Sequence, residues 1–115
     1  MAAKDRKTAR YARQLDVNVA GLEIVTTNVA AGGVQLCCPD MRYRGFQNSA
    51  KDGALAFTIR VPGSREWIGV EGRVRYADLC DDEVLIGFQF TEWSADGADR
   101  WLAYIETLAD SKPLA

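Results

Sequence analysis

Apolar and polar residues alternate one by one through six short segments of this 115-residue chain. A β-strand is the conformation that sorts such a pattern onto two faces. Leu15, Val17 and Val19 alternate with Asp16 and Asn18, and Leu22 to Thr27 resumes after Ala20-Gly21 with β-branched residues. Ala30-Ala31-Gly32-Gly33 is a turn by composition, with glycine expected to supply positive φ; Val34 to Cys38 follows it and stops at Pro39. Leu55, Phe57, Ile59 and Val61 share one face of a fourth segment, which Pro62-Gly63-Ser64 turns. Ile68, Val70, Val74 and Tyr76 share one face of a fifth, with Gly72 marking a bulge or bend. Val84, Ile86, Phe88 and Phe90 make the sixth, with Gly87 on the opposite face, reached through Asp81-Asp82.

Short connections imply antiparallel neighbours. Six twisted strands in so short a chain satisfy their edges best by curling into a barrel. The period changes after residue 94. Trp101, Leu102, Tyr104, Ile105 and Leu108 recur at helical spacing behind an N-cap at Ser94 or Asp96, and Lys112-Pro113 mark the end. The expected fold is mainly β: a six-stranded antiparallel β-barrel with a C-terminal α-helix across one opening or side. Phe57, Phe88, Phe90 and Trp101 are assigned to its core. Residues 40–53 lack a usable period and read as a long loop. The domain organisation is a flexible basic arm over residues 1–13 and one barrel domain with its helix over residues 14–110.

Composition thins the possible functions. The chain has no histidine, the commonest general acid or base and the usual partner of a nucleophilic Ser or Cys. The tight acidic run Asp81-Asp82-Glu83 falls in a turn, where charge is ordinarily solvated. No catalytic constellation emerges, and an enzyme is not expected. Cys37, Cys38 and Cys80 form no disulfide framework, and neighbours on a strand face opposite sides, so no metal site follows; buried, reduced thiols are expected. No apolar run approaches the roughly 20 residues of a membrane span. Nor does an apolar stretch follow Met1-Ala2-Ala3-Lys4-Asp5-Arg6. The expectation is a cytoplasmic protein without membrane insertion.

Charge is unevenly placed. Lys4, Arg6, Lys7, Arg10 and Arg13 against Asp5 give residues 1–13 a balance of +4, and the rest of the chain carries −6. Arg6 and Arg10 offer two planar, permanently charged forks that suit phosphate, the O6/N7 edge of guanine, or stacking on a base. Downstream, Asn28 presents an amide at a strand end. Ala30, Gly32 and Gly33 keep side chains away from the backbone there. Arm and turn together suit a planar, doubly charged ligand clamped between them.

Arg6-x-x-x-Arg10 followed by Asn28-x-Ala30-x-x-Gly33 resembles the double signature of the PilZ domain, and the likeness runs from about residue 6 to about residue 106. The resemblance implies a barrel with an accessory helix that binds the second messenger cyclic di-GMP. No cofactor is implied. Carried over, Arg6 and Arg10 would grip phosphate and guanine, Asn28 would bond a guanine edge, and Gly33 would allow close backbone approach. The family's usual Ser is Ala30 here, one neutral hydrogen bond fewer, worth on the order of 0.5–1.5 kcal/mol. Members that bind a stacked ligand dimer often carry another Arg where this chain has Asp5, and Arg13 is the candidate substitute for that phosphate contact. Residues 1–13 hold too few apolar groups to stay docked without ligand. Binding would fold the arm over the barrel, and an unidentified effector protein would read the change.

Two other readings compete. A PilZ-like adaptor without cyclic di-GMP binding would work through protein contacts alone, with Ala30 in its favour. A barrel for single-stranded nucleic acid would need a basic groove with exposed aromatics. Here the basic residues cluster in the arm and the aromatics fall on core faces, so no DNA or RNA partner is expected.

Overall fold

A computed structural model describes residues 9–39 and 53–114. Six strands close into one antiparallel barrel in the spatial order β1-β2-β3-β6-β5-β4, and one helix follows. They are β1 (Asp16–Val19), β2 (Leu22–Ala30), β3 (Gly33–Pro39), β4 (Ala54–Arg60), β5 (Trp67–Cys80), β6 (Glu83–Trp93) and the helix α1 (Gly97–Thr107). This is the barrel and C-terminal helix that the alternation predicts. The predicted loop lies outside the described residues except for Gly53, as does Arg6.

The alternating residues fill the barrel. Val17, Val19, Val34, Leu36, Ile59 and Ile86 are fully buried, and Phe57 meets Phe88 at a ring separation of 5.3 Å. Each such side chain contributes about 1.5–3 kcal/mol on leaving water. Closure comes from β1, which pairs with β2 on one side (Val17 opposite Ile24) and with β4 on the other (Val17 opposite Ile59). Every strand of the ring then has a neighbour on both sides, which is the physical gain of a barrel over an open sheet.

Two bulges bend β5 against β6, one between Glu71 and Gly72 as the glycine predicts, the second between Val74 and Tyr76. The second changes the facing. Tyr76 belongs to the apolar face by alternation, yet it stands outside the barrel, opposite Gly87 and exposed. Asp81 and Asp82 make the two-residue connection from β5 to β6, with Asp81 in the left-handed region at φ 55°. Aspartate tolerates that conformation better than most residues.

α1 covers the barrel with one face only. Trp101 and Leu108 are buried, and Trp101 sits among Phe90, Trp93 and Tyr104 at ring separations of 5.4, 5.8 and 5.7 Å. Its indole N–H donates to the Ala30 carbonyl at 3.0 Å, tying the helix to the end of β2. Leu102, predicted on the apolar face, is 47% exposed. The helical period places it one position beyond the Trp101 contact, so it turns to solvent. Asp96 occupies the N-cap position without a side-chain capping bond.

The described end of the arm is packed. Tyr11 is buried and exchanges two backbone hydrogen bonds with Val29, both 2.9 Å, beside β2. Leu15 is buried as well, and the Thr26 hydroxyl bridges this stretch by donating to the Arg13 carbonyl and accepting from the Leu15 N–H, both at 2.8 Å. Within the arm expected to run free to residue 13, Tyr11 is thus docked beside β2. Tyr11 supplies the apolar anchor that a count of charges passes over.

Candidate functional site

The outer face of β2, β3 and β5 carries a row of polar side chains that crosses β6 at Gly87. The Arg10 guanidinium donates to the Asn28 side-chain oxygen at 2.8 Å, joining two segments 18 residues apart. The Asn28 amide nitrogen donates to the Gln35 side-chain oxygen at 3.1 Å, and the Thr27 hydroxyl donates to the same oxygen at 2.6 Å. The Gln35 amide nitrogen donates to the Tyr76 hydroxyl at 2.7 Å. Local structure sets this up. The register shift between Thr26 and Asn28 lets Thr27 and Asn28 both reach toward Gln35, directly across from Asn28 in the ladder.

The same face is basic beyond the row. Arg75, left unpaired in the ladder by the second β5 bulge, donates to Gln89 at 2.9 Å. Arg73 is exposed opposite Gln89. Among the described residues Arg10 makes one side-chain hydrogen bond, so the rest of its donor fork is available to an anion. The next outward row holds Cys37, Leu85 and Asp78, where the polarity of the face changes.

The other predicted site residues fall differently. Ala30 is buried and its carbonyl is taken by Trp101. Gly33 is buried too. A Cβ there would overlap the backbone carbonyl of Phe88 on β6, so the close approach it permits is that of a neighbouring strand. Neither Gly32 nor Gly33 lies in the left-handed region, and the turn expected to need positive φ does without it. Arg13 turns away from Asn28: it donates to the Ala12 carbonyl at 2.7 Å and to the Ser111 hydroxyl at 2.9 Å. Burial pushes the Tyr104 hydroxyl's pKa up, and the Arg13 charge partly offsets that. The Arg10 carbonyl accepts from the Leu114 N–H at 2.7 Å, so the C-terminal segment braces the stretch that presents the Arg10 guanidinium.

Sequence reasoning missed Gln35 and Tyr76. Gln35 is legible in retrospect as a polar residue on the outward face of β3, the same parity as a residue opposite Asn28. Tyr76 is not, because its facing depends on the bulge.

A wider concavity among the described residues lies elsewhere. It has a volume of ≈ 750 Å³, is lined by parts of β1, β4, β5 and β6, and contains none of the predicted site residues. Glu71 and Glu92 stand directly opposite each other along it. Two adjacent carboxylates repel a phosphate, so the basic outer face is the better anion site. A smaller groove of ≈ 440 Å³ runs beside that face along Arg13, Thr27, Cys37 and Glu83. Among the described residues no group of three His, Cys, Asp or Glu side chains is placed to hold a metal.

The backbone architecture has a solved counterpart. The structure of the Bacillus subtilis inhibitor of motility, MotI/DgrA, superposes with a TM-score of 0.68 at 21% sequence identity. The fold is PilZ-like. The match covers 90% of this chain and 52% of that one, so the chain spans about half the length of its structural neighbour. No family model matches the sequence, and no curated protein matches it. The PilZ-like likeness therefore speaks for the barrel and helix, and the chemistry of the site rests on the residues just described. No helix among the described residues is long and apolar enough to cross a membrane.

Proposed function

We propose that this protein is a cytoplasmic receptor for cyclic di-GMP that signals through a partner protein and catalyses no reaction. The observation that carries the reading is the 2.8 Å bond from Arg10 to Asn28. It brings together the two segments whose sequence resembles the paired PilZ signature, on a basic face of a PilZ-like barrel. Arg10 supplies a charged fork for phosphate or guanine, and Asn28 supplies an amide for a base edge. Arg6, four residues before Arg10, would add a second fork. Output through another protein is in keeping with the structural neighbour, an inhibitor of motility.

Calorimetric titration with cyclic di-GMP tests the reading. Heat of binding in the wild type and its loss in Arg10→Ala are expected; no heat and no thermal shift at high micromolar ligand would overturn it.

One observation favours a second reading, an adaptor that works through protein contacts without the dinucleotide. Ala30 and Gly33 both have complete structural explanations, the first through Trp101 and the second through Phe88. Two positions of the paired signature are thus accounted for by folding alone. A partner captured equally well by the wild type and by an Arg6/Arg10 double alanine variant would support this reading over the first.

A further inference from the structure

The row Arg10–Asn28–Gln35–Tyr76 has a direction, and the direction has a chemical consequence. A guanidinium has only donors, so the Asn28 atom facing Arg10 is its oxygen. The Asn28 amide nitrogen must then face Gln35 and donate to its oxygen, which also accepts from Thr27. That fixes the Gln35 amide in turn, leaving its nitrogen to donate to the Tyr76 oxygen. Each amide orientation follows from the one before it. At the end of the row the Tyr76 hydroxyl accepts, and its own proton is left to donate outward.

The ring that carries this hydroxyl is placed as a platform. Gly87 lies directly opposite Tyr76, and a Cβ on Gly87 would collide with three ring atoms of Tyr76. With hydrogen there instead, the ring rests on the β6 backbone, outside the barrel, and remains 38% exposed. Arg75 and Arg73 lie on the same strand beside it.

We propose that Tyr76 is a ligand-contacting residue of the candidate site, stacking its exposed ring on a purine base and donating its hydroxyl proton, in the ring plane, to a separate acceptor, the O6 of a second guanine or a phosphate oxygen. The assignment rests on the receptor reading above and extends its site from Arg10 and Asn28 across to β5. Gln35 is a positioning residue in it, because it passes the orientation of Asn28 to the tyrosine. The acceptor requirement also gives the site a preference. A base offering an acceptor at the position that meets the hydroxyl is favoured over one offering an amino group, so guanine is favoured over adenine.

Calorimetric titration of cyclic di-GMP against the wild type, Arg10→Ala, Tyr76→Phe, Tyr76→Ala and Gly87→Ala tests the assignment, with ligand-free melting curves for each. Tyr76→Ala should weaken binding about tenfold or more, from the loss of a stacking surface. Tyr76→Phe should weaken it about threefold to tenfold through the hydroxyl alone and leave the ligand-free melting temperature close to wild type. Gly87→Ala, which displaces the ring without removing it, should resemble Tyr76→Ala. If Tyr76→Ala does not fold, Tyr76→Phe decides. Wild-type affinity in the Tyr76 variants together with lost binding in Arg10→Ala would overturn this assignment and leave the receptor reading standing. A wild type that binds no cyclic di-GMP would overturn both.

Discussion

Gly33 shows how one residue can carry two explanations. In sequence it stands where the chain resembles a ligand-binding signature, and in space it lets β3 cross within contact of the Phe88 carbonyl. The steric demand is independent of any ligand. Gly33→Ala is therefore expected to destabilise the ligand-free protein by about 1–3 kcal/mol, as overpacking against rigid backbone does; a chemical denaturation curve unchanged from wild type would contradict it. Trp101 makes a comparable point with a hydrogen bond. Replacing it with Phe keeps most of the buried ring but leaves the Ala30 carbonyl without its donor. A loss of about 0.5–1.5 kcal/mol is expected from that hydrogen bond, and a double-mutant series with Phe90 would separate it from the ring contacts.

Among the elements, α1 is the clearest case of a pattern read correctly in type and wrongly in one residue. Period 3.6 over Trp101, Tyr104, Ile105 and Leu108 was enough to indicate a helix. It did not exclude Leu102 from the buried face, because hydrophobicity alone cannot say how wide that face is. The structure narrows it to the strip that meets β2 and the aromatic cluster. Leu102→Glu should shift stability by no more than about 0.5 kcal/mol, as exposed substitutions usually do. Leu108→Ala should cost about 2–3.5 kcal/mol, toward the lower part of the range for buried leucine. Thermal melts of the two variants side by side check the assignment, and equal effects would refute it. The hairpin of β5 and β6 gives the complementary lesson. Gly72 announced its bulge, whereas the one between Val74 and Tyr76 has no residue of special backbone preference and was invisible.

At the scale of the whole molecule, the three cysteines occupy three environments. Cys38 is fully buried in the barrel and Cys80 is exposed at the β5 end, contrary to the expectation of mostly buried thiols. Cys37 lies between them on the outer face, donating to Glu83 at 2.5 Å. Burial first, and the Glu83 hydrogen bond and charge next, push its pKa from an ordinary 9.0 up to about 11. The thiolate is the reactive form, so a thiol reagent at pH 8 should label Cys80 quickly and Cys37 slowly in the native state. Because the folded protein holds that proton more tightly than the unfolded chain, Cys37 favours folding below pH 9. This contribution declines as pH rises from about 9 toward 11. Cys37→Ser should flatten the stability profile in that window, as urea midpoints across the pH range would show.

The sequence by itself determined the barrel and the helix, because these depend on periodicity and on residue types that act locally. Val17, Ile59 and Ile86 could alternate only as strands, whereas Arg10 and Asn28 were expected to meet only across a ligand and instead bond directly. Tertiary structure alone decided which side chains share a surface. Tyr76 reached the row through a bulge, Gln35 through cross-strand register, and Arg13 left it for Ser111. Residue 11 was decided there too, since a tyrosine in a basic arm docks only where a closed barrel offers it Val29 and a buried seat. Periodicity fixes what a residue faces within its own strand. A one-residue slip in a neighbouring strand fixes whom it meets, and that slip is set by the packing of the whole barrel.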